Sequence, residues 1–281
     1  RCALCSSDRE RDMSGFSADW LAMREPHDRD ARNEDVLASV AQAFTHLPSM
    51  TIVDLACGTG STARAIAGRL PKPQRWQLVD NDLSLLARAA TAPAPPGCTT
   101  RTIPVDLVRD LEAALDGATD LVTCSALLDL VSGQWLDRLA TECAARHLPL
   151  YAALTYDGRA SITPADRIDA EIIAAVNAHQ LTDKGFGPAL GPRAGDTLVK
   201  RFKSLSYEIE SGTSDWRIGP EDADMQRAVL THWAQAAQEM SAMSTVNVAS
   251  WLARRIDDID AGKLQIFVGH IDVFARPTGK R

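Results

Sequence analysis

From residue 51 onward the chain repeats one device: a short apolar run, a turn, then an amphipathic stretch. TIVDL (51–55) reads as a strand and 60–70 as a helix. WQLVD (76–80) is a second strand, and Asp82 caps a helix that sets Leu85, Leu86 and Ala89 on one face. A Pro/Ala-rich link at 91–97 leads to a third strand near 101–105 and a helix at 107–115. A strand at 120–124, a Ser132-capped helix to Arg146 and a strand at 149–154 complete the series. Strands alternating with helices in this way predict βαβ units, and so an α/β, doubly wound, mostly parallel sheet with helices on both faces. Ligands of such sheets sit outside the carboxyl ends of the strands, which directs attention to the residues that end each one.

The flanks are helical. Ser17 caps a short helix carrying Trp20, Leu21 and Met23 that stops near Pro26; a second, from about Asp28, carries Val36, Leu37, Val40 and Phe44. Beyond 155 the alternation breaks. Thr163-Pro164-Ala165-Asp166 reads as a helix start with Ile168, Ile172 and Val176 on its buried face. The Gly- and Pro-containing stretch 179–192 reads as a loop. A helix at 194–204, a strand at 206–211, a helical stretch from Pro220 to Met240, a helix around 251–256 and a last strand at 264–275, bulged at Gly269, follow. The division expected is a helical cover at 1–49, a core at 50–155, and an insertion with closing strands at 156–281.

Composition narrows the function. A net charge of −7 (Lys+Arg 30 against Asp+Glu 37) disfavours a nucleic-acid partner, whose affinity comes from neutralising phosphates. The most apolar stretch, around 121–131, is interrupted by Asp129 and is too short for a membrane span. The opening RCALCSSDRERDMSG has no apolar h-region, so no secretory leader is expected there. Cys2 and Cys5 make one CxxC without a second pair at metal spacing; no metal site is expected. Cys57, Cys98, Cys124 and Cys143 lack a disulfide framework, and the expected location is the cytoplasm. Either a monomer or a homodimer fits this composition.

The most informative segment is Asp54-Leu55-Ala56-Cys57-Gly58-Thr59-Gly60, a strand end followed by a glycine turn and a helix opening. Gly58-x-Gly60-x-x-Ala63 formally fits a dinucleotide-binding pattern, a weak signal on its own. A carboxylate at Asp54, beside a diphosphate in a desolvated crevice, would be repelled by it; beside a cationic guest it is attracted. S-adenosylmethionine, with a sulfonium and an ammonium, is such a guest. On these residues, 50–155 resembles the class I S-adenosylmethionine-dependent methyltransferases, with Ala56 where the family has its first glycine. The resemblance implies a seven-stranded Rossmann-like sheet with N-terminal helices and a helical insertion, and S-adenosylmethionine as the cofactor. It implies that Asp80, 26 residues after Asp54, takes the ribose hydroxyls. Asn81 would meet the adenosyl edge, Asp106 and Leu107 the adenine, and Ser125 the methionyl region. Asp106 is equally a cap for the next helix.

Methyl transfer from a sulfonium needs an acceptor held in line, water excluded, and a proton removed where the acceptor carries one. Asp129 after the fourth strand, Tyr156 and Asp157 after the fifth, and His179 in the polar segment before the loop are the catalytic candidates. Asp157-Gly158 reads equally as a surface turn, and His270 as a hydrogen-bonded core residue or a base. The resemblance implies N-terminal helices that cover the cofactor, where Arg24 or His27 would reach the methionyl carboxylate; a solvated helix end is the alternative reading. Arg159, Lys184 and Arg193 near the inferred mouth favour an anionic or polar small molecule. The function expected is methyl transfer to a small polar metabolite through an O, N or S acceptor. The rivals are a nicotinamide-dependent oxidoreductase and a non-catalytic nucleoside-binding relative.

Overall fold

The strands form where β-branched and apolar residues run without interruption, and the central ones are covered on both faces. In the computed structural model, which describes residues 17–241 and 243–279, β1 (Met50–Leu55) has five of its six residues buried. The CxxC pair lies outside the described residues. β2 (Gln74–Asp80), β3 (Cys98–Pro104) and β4 (Leu121–Ser125) run parallel to β1, and β5 (Leu150–Thr163) parallel to β4. β8 (Gln265–Pro277) enters antiparallel between β5 and β6 (Tyr207–Thr213), so the order is β3-β2-β1-β4-β5-β8-β6. The expected seven strands follow one path, and a three-residue β7 (Trp216–Ile218) adds an eighth beside β8. The order reverses between β1 and β4, where a crevice opens for a ligand.

α1 (Ala18–Ala31) does not stop at Pro26 but runs through it. The proline gives up one backbone hydrogen bond. Across that turn the Arg24 guanidinium donates twice to the Asp28 carboxylate, at 2.8 and 3.1 Å, which holds both sides together. α2 (Glu34–Ala43) therefore starts later than expected, where the Asn33 side-chain Oδ1 accepts the Val36 N–H at 3.0 Å.

The second departure is at β5. Thr163-Pro164 carries a helix-start signal, yet the strand continues to Thr163, opposite Gln265 of β8, and α7 (Asp169–His179) begins six residues later. Pairing with β8, which satisfies the whole backbone, outweighs a local cap. Extra residues sit in β5, at 153–154 and 157–159, while Gly269 lies opposite. A side chain at Gly269 would strike Asp157 and Arg159, so the irregularity foreseen at that glycine falls on the facing strand.

Three apolar cores result. α2, α3 (Ser61–Ile66) and α4 (Leu83–Thr91) cover one face through Val36, Val40, Ile66 and Leu86. α5 (Leu111–Ala114), α6 (Gly133–Arg146) and α8 (Ala194–Ser204) cover the other through Leu111, Leu136, Leu198 and Phe202. The third lies under α7, α9 (Ala223–Glu239) and α10 (Thr245–Asp260), where Ile172, Val229, Trp233 and Trp251 pack on the far ends of β5 and β8. Among the described residues no helix is long and apolar enough to cross a membrane.

At the base of the third core Arg255, 1% exposed, is paired with Asp169, which also accepts the Trp251 indole N–H at 2.9 Å. Removing one partner of a buried pair leaves the other uncompensated. Asp169→Ala is expected to lower the unfolding free energy by about 3 kcal/mol in urea titrations, with Asp258 holding the loss to the lower part of the usual range.

Candidate functional site

The register brings the carboxyl ends of four strands level: Leu55 pairs with both Val79 and Cys124, and Asp80 with Pro104. Past Leu55 the backbone turns through positive φ at Ala56 (51°), Gly58 (54°) and Gly60 (82°). Only glycine adopts such angles without strain, so Ala56 holds its place at a cost. The turn is tied to β2: the Cys57 N–H donates to the Val79 carbonyl at 2.9 Å, and the Gly58 N–H to Asp80 Oδ2 at 2.8 Å. Asp80 Oδ1 accepts the Asp82 N–H at 3.0 Å. Each oxygen keeps a lone pair, and the carboxylate faces a cavity of about 260 Å³.

Arg24, Ala56, Gly58, Asp80, Asn81, Asp106, Leu107 and Ser125 all line this cavity, as the sequence led us to expect. Leu85, Val105, Leu107 and Val108 make one apolar wall. Leu21 and Arg24 of α1 close one side and Lys184, Gly185 and Phe186 another. Arg24 is 8% exposed and is held by Asp28, with the Trp216 ring centroid 4.8 Å from the guanidinium. Asp106 lines the cavity, and its Oδ1 accepts the Val108 N–H at 2.9 Å within the turn at 107–109; it does not cap the next helix as expected, because α5 begins only at Leu111, after Asp110. Asp82 is the cap of α4, accepting the Ser84 and Leu85 N–H groups at 2.8 and 3.1 Å. A larger cleft, about 860 Å³, lies between α1 and the segment from β7 to α9; it includes none of the strand-end groups.

Two of the expected cofactor residues are not in the wall. Gly60 faces Leu78 and Ala89, where it lets α4 approach the turn. Asp54 is fully buried beneath the floor, its Oδ1 accepting the Thr123 hydroxyl at 2.8 Å and its Oδ2 unpartnered. Above it Thr62 and Ser125 share a hydrogen bond of 3.1 Å, and Arg32 donates to Ser125 at 2.9 Å. This layer separates Asp54 from the cavity, and Arg32 is its buried counter-charge, so the direct contact with a cationic guest expected of it is not made.

None of the four catalytic candidates lines the cavity. Because β5 runs on past the sheet, Tyr156 enters the third core, where its hydroxyl donates to Asn177 at 2.8 Å. Asp157 falls in the bulge and pairs with Arg159, which also binds Asp215; the surface-turn reading is the better one. Asp129 is buried behind Leu127 and Leu130 with Oδ1 unpartnered. His179 stands one residue removed, in contact with Lys184. His270 is a core residue whose protonation burial pushes down to about 3. His27 lies 3.9 Å from Asp222, Arg159 is neutralised, and Arg193 is outside the wall. Leu21, Thr62 and Phe186 were missed: a helix leucine, a helix threonine and a loop aromatic carry no local mark of a ligand contact.

Burial pushes the Asp54 carboxyl up to about 7, against the Thr123 hydrogen bond and the Arg32 charge. The native state then holds a proton that the unfolded chain releases near 3.8, so this residue's contribution to stability is present at low pH and is lost as pH rises through about 7. Relative to Asp54→Asn, which keeps the acceptor for Thr123, the wild-type protein is expected to lose about 3 kcal/mol between pH 4.5 and 7.5 in urea unfolding. Parallel curves for the two proteins would contradict this.

The groups present fit S-adenosylmethionine. Asp80 has free lone pairs for a diol, the Leu85–Leu107 wall suits a purine, and Arg24 offers a cation for a carboxylate. A side chain at Gly58 would reach within 3.0 Å of Leu21 and fill the space between turn and cover. The family model for a methyltransferase domain matches residues 52–149, the span from β1 to the start of β5. No curated protein matches the chain. The solved structures it is similar to include a cyclopropane-fatty-acyl-phospholipid synthase-like protein from Lactobacillus casei, at 16% identity and TM-score 0.49, covering 92% of this chain and 94% of that one. The cyclopropane synthase MmaA2 of Mycobacterium tuberculosis has 11% identity and TM-score 0.48, with 93% and 95% covered. Likeness at this level bears on neither substrate nor mechanism. The glycine turn, the Asp80 carboxylate beside it and the match across 52–149 coincide on one stretch of chain, and that stretch is similar to a methyltransferase domain.

Proposed function

We propose that the protein transfers a methyl group from S-adenosylmethionine to a small polar molecule bearing an O, N or S acceptor. The observation that carries this reading is the position of Asp80, which fastens the glycine turn while presenting its carboxylate to the cavity. Bound there, S-adenosylmethionine supplies an electrophilic methyl group on a positively charged sulfur. Asp80 would hold the ribose, Leu107 and its apolar neighbours the adenine, and Arg24 the methionyl carboxylate. Leu21 and Phe186, apolar groups of the cavity lining, would exclude water from the reacting groups.

The cavity lining mixes Arg24 and Lys184 with Asp28, Asp80, Asp82 and Asp106, a polar setting that supports a polar acceptor. Positioning in such a site can supply a large share of the acceleration.

Calorimetric titration with S-adenosylhomocysteine and with NAD tests the reading: binding of the first and none of the second is expected, and the reverse would end it. Asp80→Ala is expected to weaken S-adenosylhomocysteine by about 2–3 kcal/mol, since it removes charge-assisted acceptors and leaves a buried diol unpaired. An unchanged dissociation constant would remove Asp80 from the role.

A further inference from the structure

One cation on the cavity wall has no part in holding the cofactor. Lys184 sits in the 180–192 loop, which is fastened over the site from several sides. Phe186 forms a β-bridge with Val131, and Ala189 one with Ser132. The Asp183 carboxylate accepts the N–H groups of Gly185 and Gly187 at 2.7 and 2.9 Å, and the Phe186 ring meets Trp135 edge-on at 5.4 Å. Lys184 is thus presented to the cavity by an ordered support.

Its partner is unusual for a lysine. The Lys184 Nζ lies 3.2 Å from His179 Nδ1 and 3.3 Å from Nε2, and His179 Nε2 lies 2.8 Å from Glu239 Oε2. A lysine meant as a fixed positive charge gains most by pairing directly with a carboxylate. Here an imidazole intervenes, and the carboxylate stands behind it on α9. The three groups lead from the cavity to the surface, where the Glu239 side chain is 43% exposed. The other charged groups facing Lys184 across the cavity are Arg24 and Asp28 of α1 and Asp80, Asp82 and Asp106 at the strand ends.

Resting on the methyl-transfer reading, we propose that Lys184 is the general base of the reaction, relieved of its proton by His179 and Glu239, and that the acceptor is an O–H or N–H group that loses its proton on methylation. The acceptor's lone pair forms the new bond to the methyl carbon as the carbon–sulfur bond gives its pair to sulfur. The acceptor's proton passes to the neutral Lys184 amine, then to His179, whose imidazolium is balanced by the Glu239 carboxylate, and from there to water. Burial lowers the Lys184 ammonium from its ordinary range, which favours the amine. The Gln235 amide and His179 hold the Glu239 carboxyl below its ordinary value, so it stays charged behind the imidazole.

Two measurements test this. Competitive acetylation of the whole protein with acetic anhydride, read by mass spectrometry across pH, gives the titration midpoint of each lysine without any bound ligand. Lys184 is expected to titrate below the exposed Lys203 and Lys263; His179→Gln is expected to move its midpoint upward, and Glu239→Gln, which removes a carboxylate that favours the ammonium, to move it further down. A midpoint equal to that of Lys203, or one unmoved by both substitutions, overturns the relay. The second measurement is transfer of labelled methyl from S-adenosylmethionine to a panel of small phenols, carboxylic acids and amines. Lys184→Met is expected to lower transfer at least about 100-fold with S-adenosylhomocysteine binding unchanged. Lys184→Arg, which keeps the charge but not a removable proton, is expected to fare no better. Full transfer by Lys184→Arg would assign the residue to charge alone and overturn the proposal. Failure of the wild-type protein to bind S-adenosylhomocysteine would instead count against the methyl-transfer reading, and the acetylation result would still decide the relay.

Discussion

The site hangs on one hydrogen bond, from the Gly58 N–H to the Asp80 carboxylate. It joins two segments that are 22 residues apart and belong to different strands. Its acceptor is charged, so the bond is stronger than one between neutral groups. Through it the turn after β1 is held against the end of β2, in the crevice where strand order reverses. Asp80 Oδ1, engaged with the Asp82 N–H, also places α4, whose Leu85 forms part of the apolar wall. A neutral side chain at this position would leave turn, helix and wall without a common anchor.

A second layer of buried charge gives the site its electrostatics. Arg32, Tyr151 and Asp272 form a bonded set beneath the floor, with the Tyr151 hydroxyl donating to Asp272 at 2.9 Å and Arg32 donating to Tyr151 and Ser125, and Asp54 lies within reach of the Arg32 charge. Burying these charges is costly, and their mutual bonds offset the cost. These residues come from the end of α1 and from β1, β5 and β8, so the set also ties the cover helix to the sheet. α1 is held a second time by Arg24, Asp28 and Trp216, whose indole N–H donates to Asp28 at 3.0 Å. The residues that fasten the cover are thus adjacent to those that line the cavity.

The loop carrying Lys184 closes the opposite side by different means. Its support comes from backbone bridges to 131–132 and from the Asp183 turn, and its outer face meets the long helix α9. Because β5 and β8 extend beyond the parallel sheet, the helices of the third core have a surface to pack on. That extension brings Glu239 within reach of a residue on the cavity wall, which no arrangement confined to the parallel strands would do.

Much of this was legible along the chain. The alternation of strands and helices, the glycine turn after Asp54, and acids ending two further strands are local patterns, and the backbone obeys them because each element satisfies its own hydrogen bonds. Eight of the ten expected cofactor residues stand in the cavity wall for that reason. What the chain alone could not decide depends on partners distant in sequence. Helix α1 passes Pro26 because Arg24 and Asp28 bond across it and Trp216 packs beside them. The β5 strand overrides a helix-start signal at Thr163 because β8 supplies a ladder to pair with. Tyr156 and Asp157 were led astray by that same extension, and Asp54 lies beneath the floor because the turn folds over it. Lys184, His179 and Glu239 form a set only once the loop has crossed the cavity and α9 has packed behind it, since no spacing along the chain encodes a contact over 60 residues.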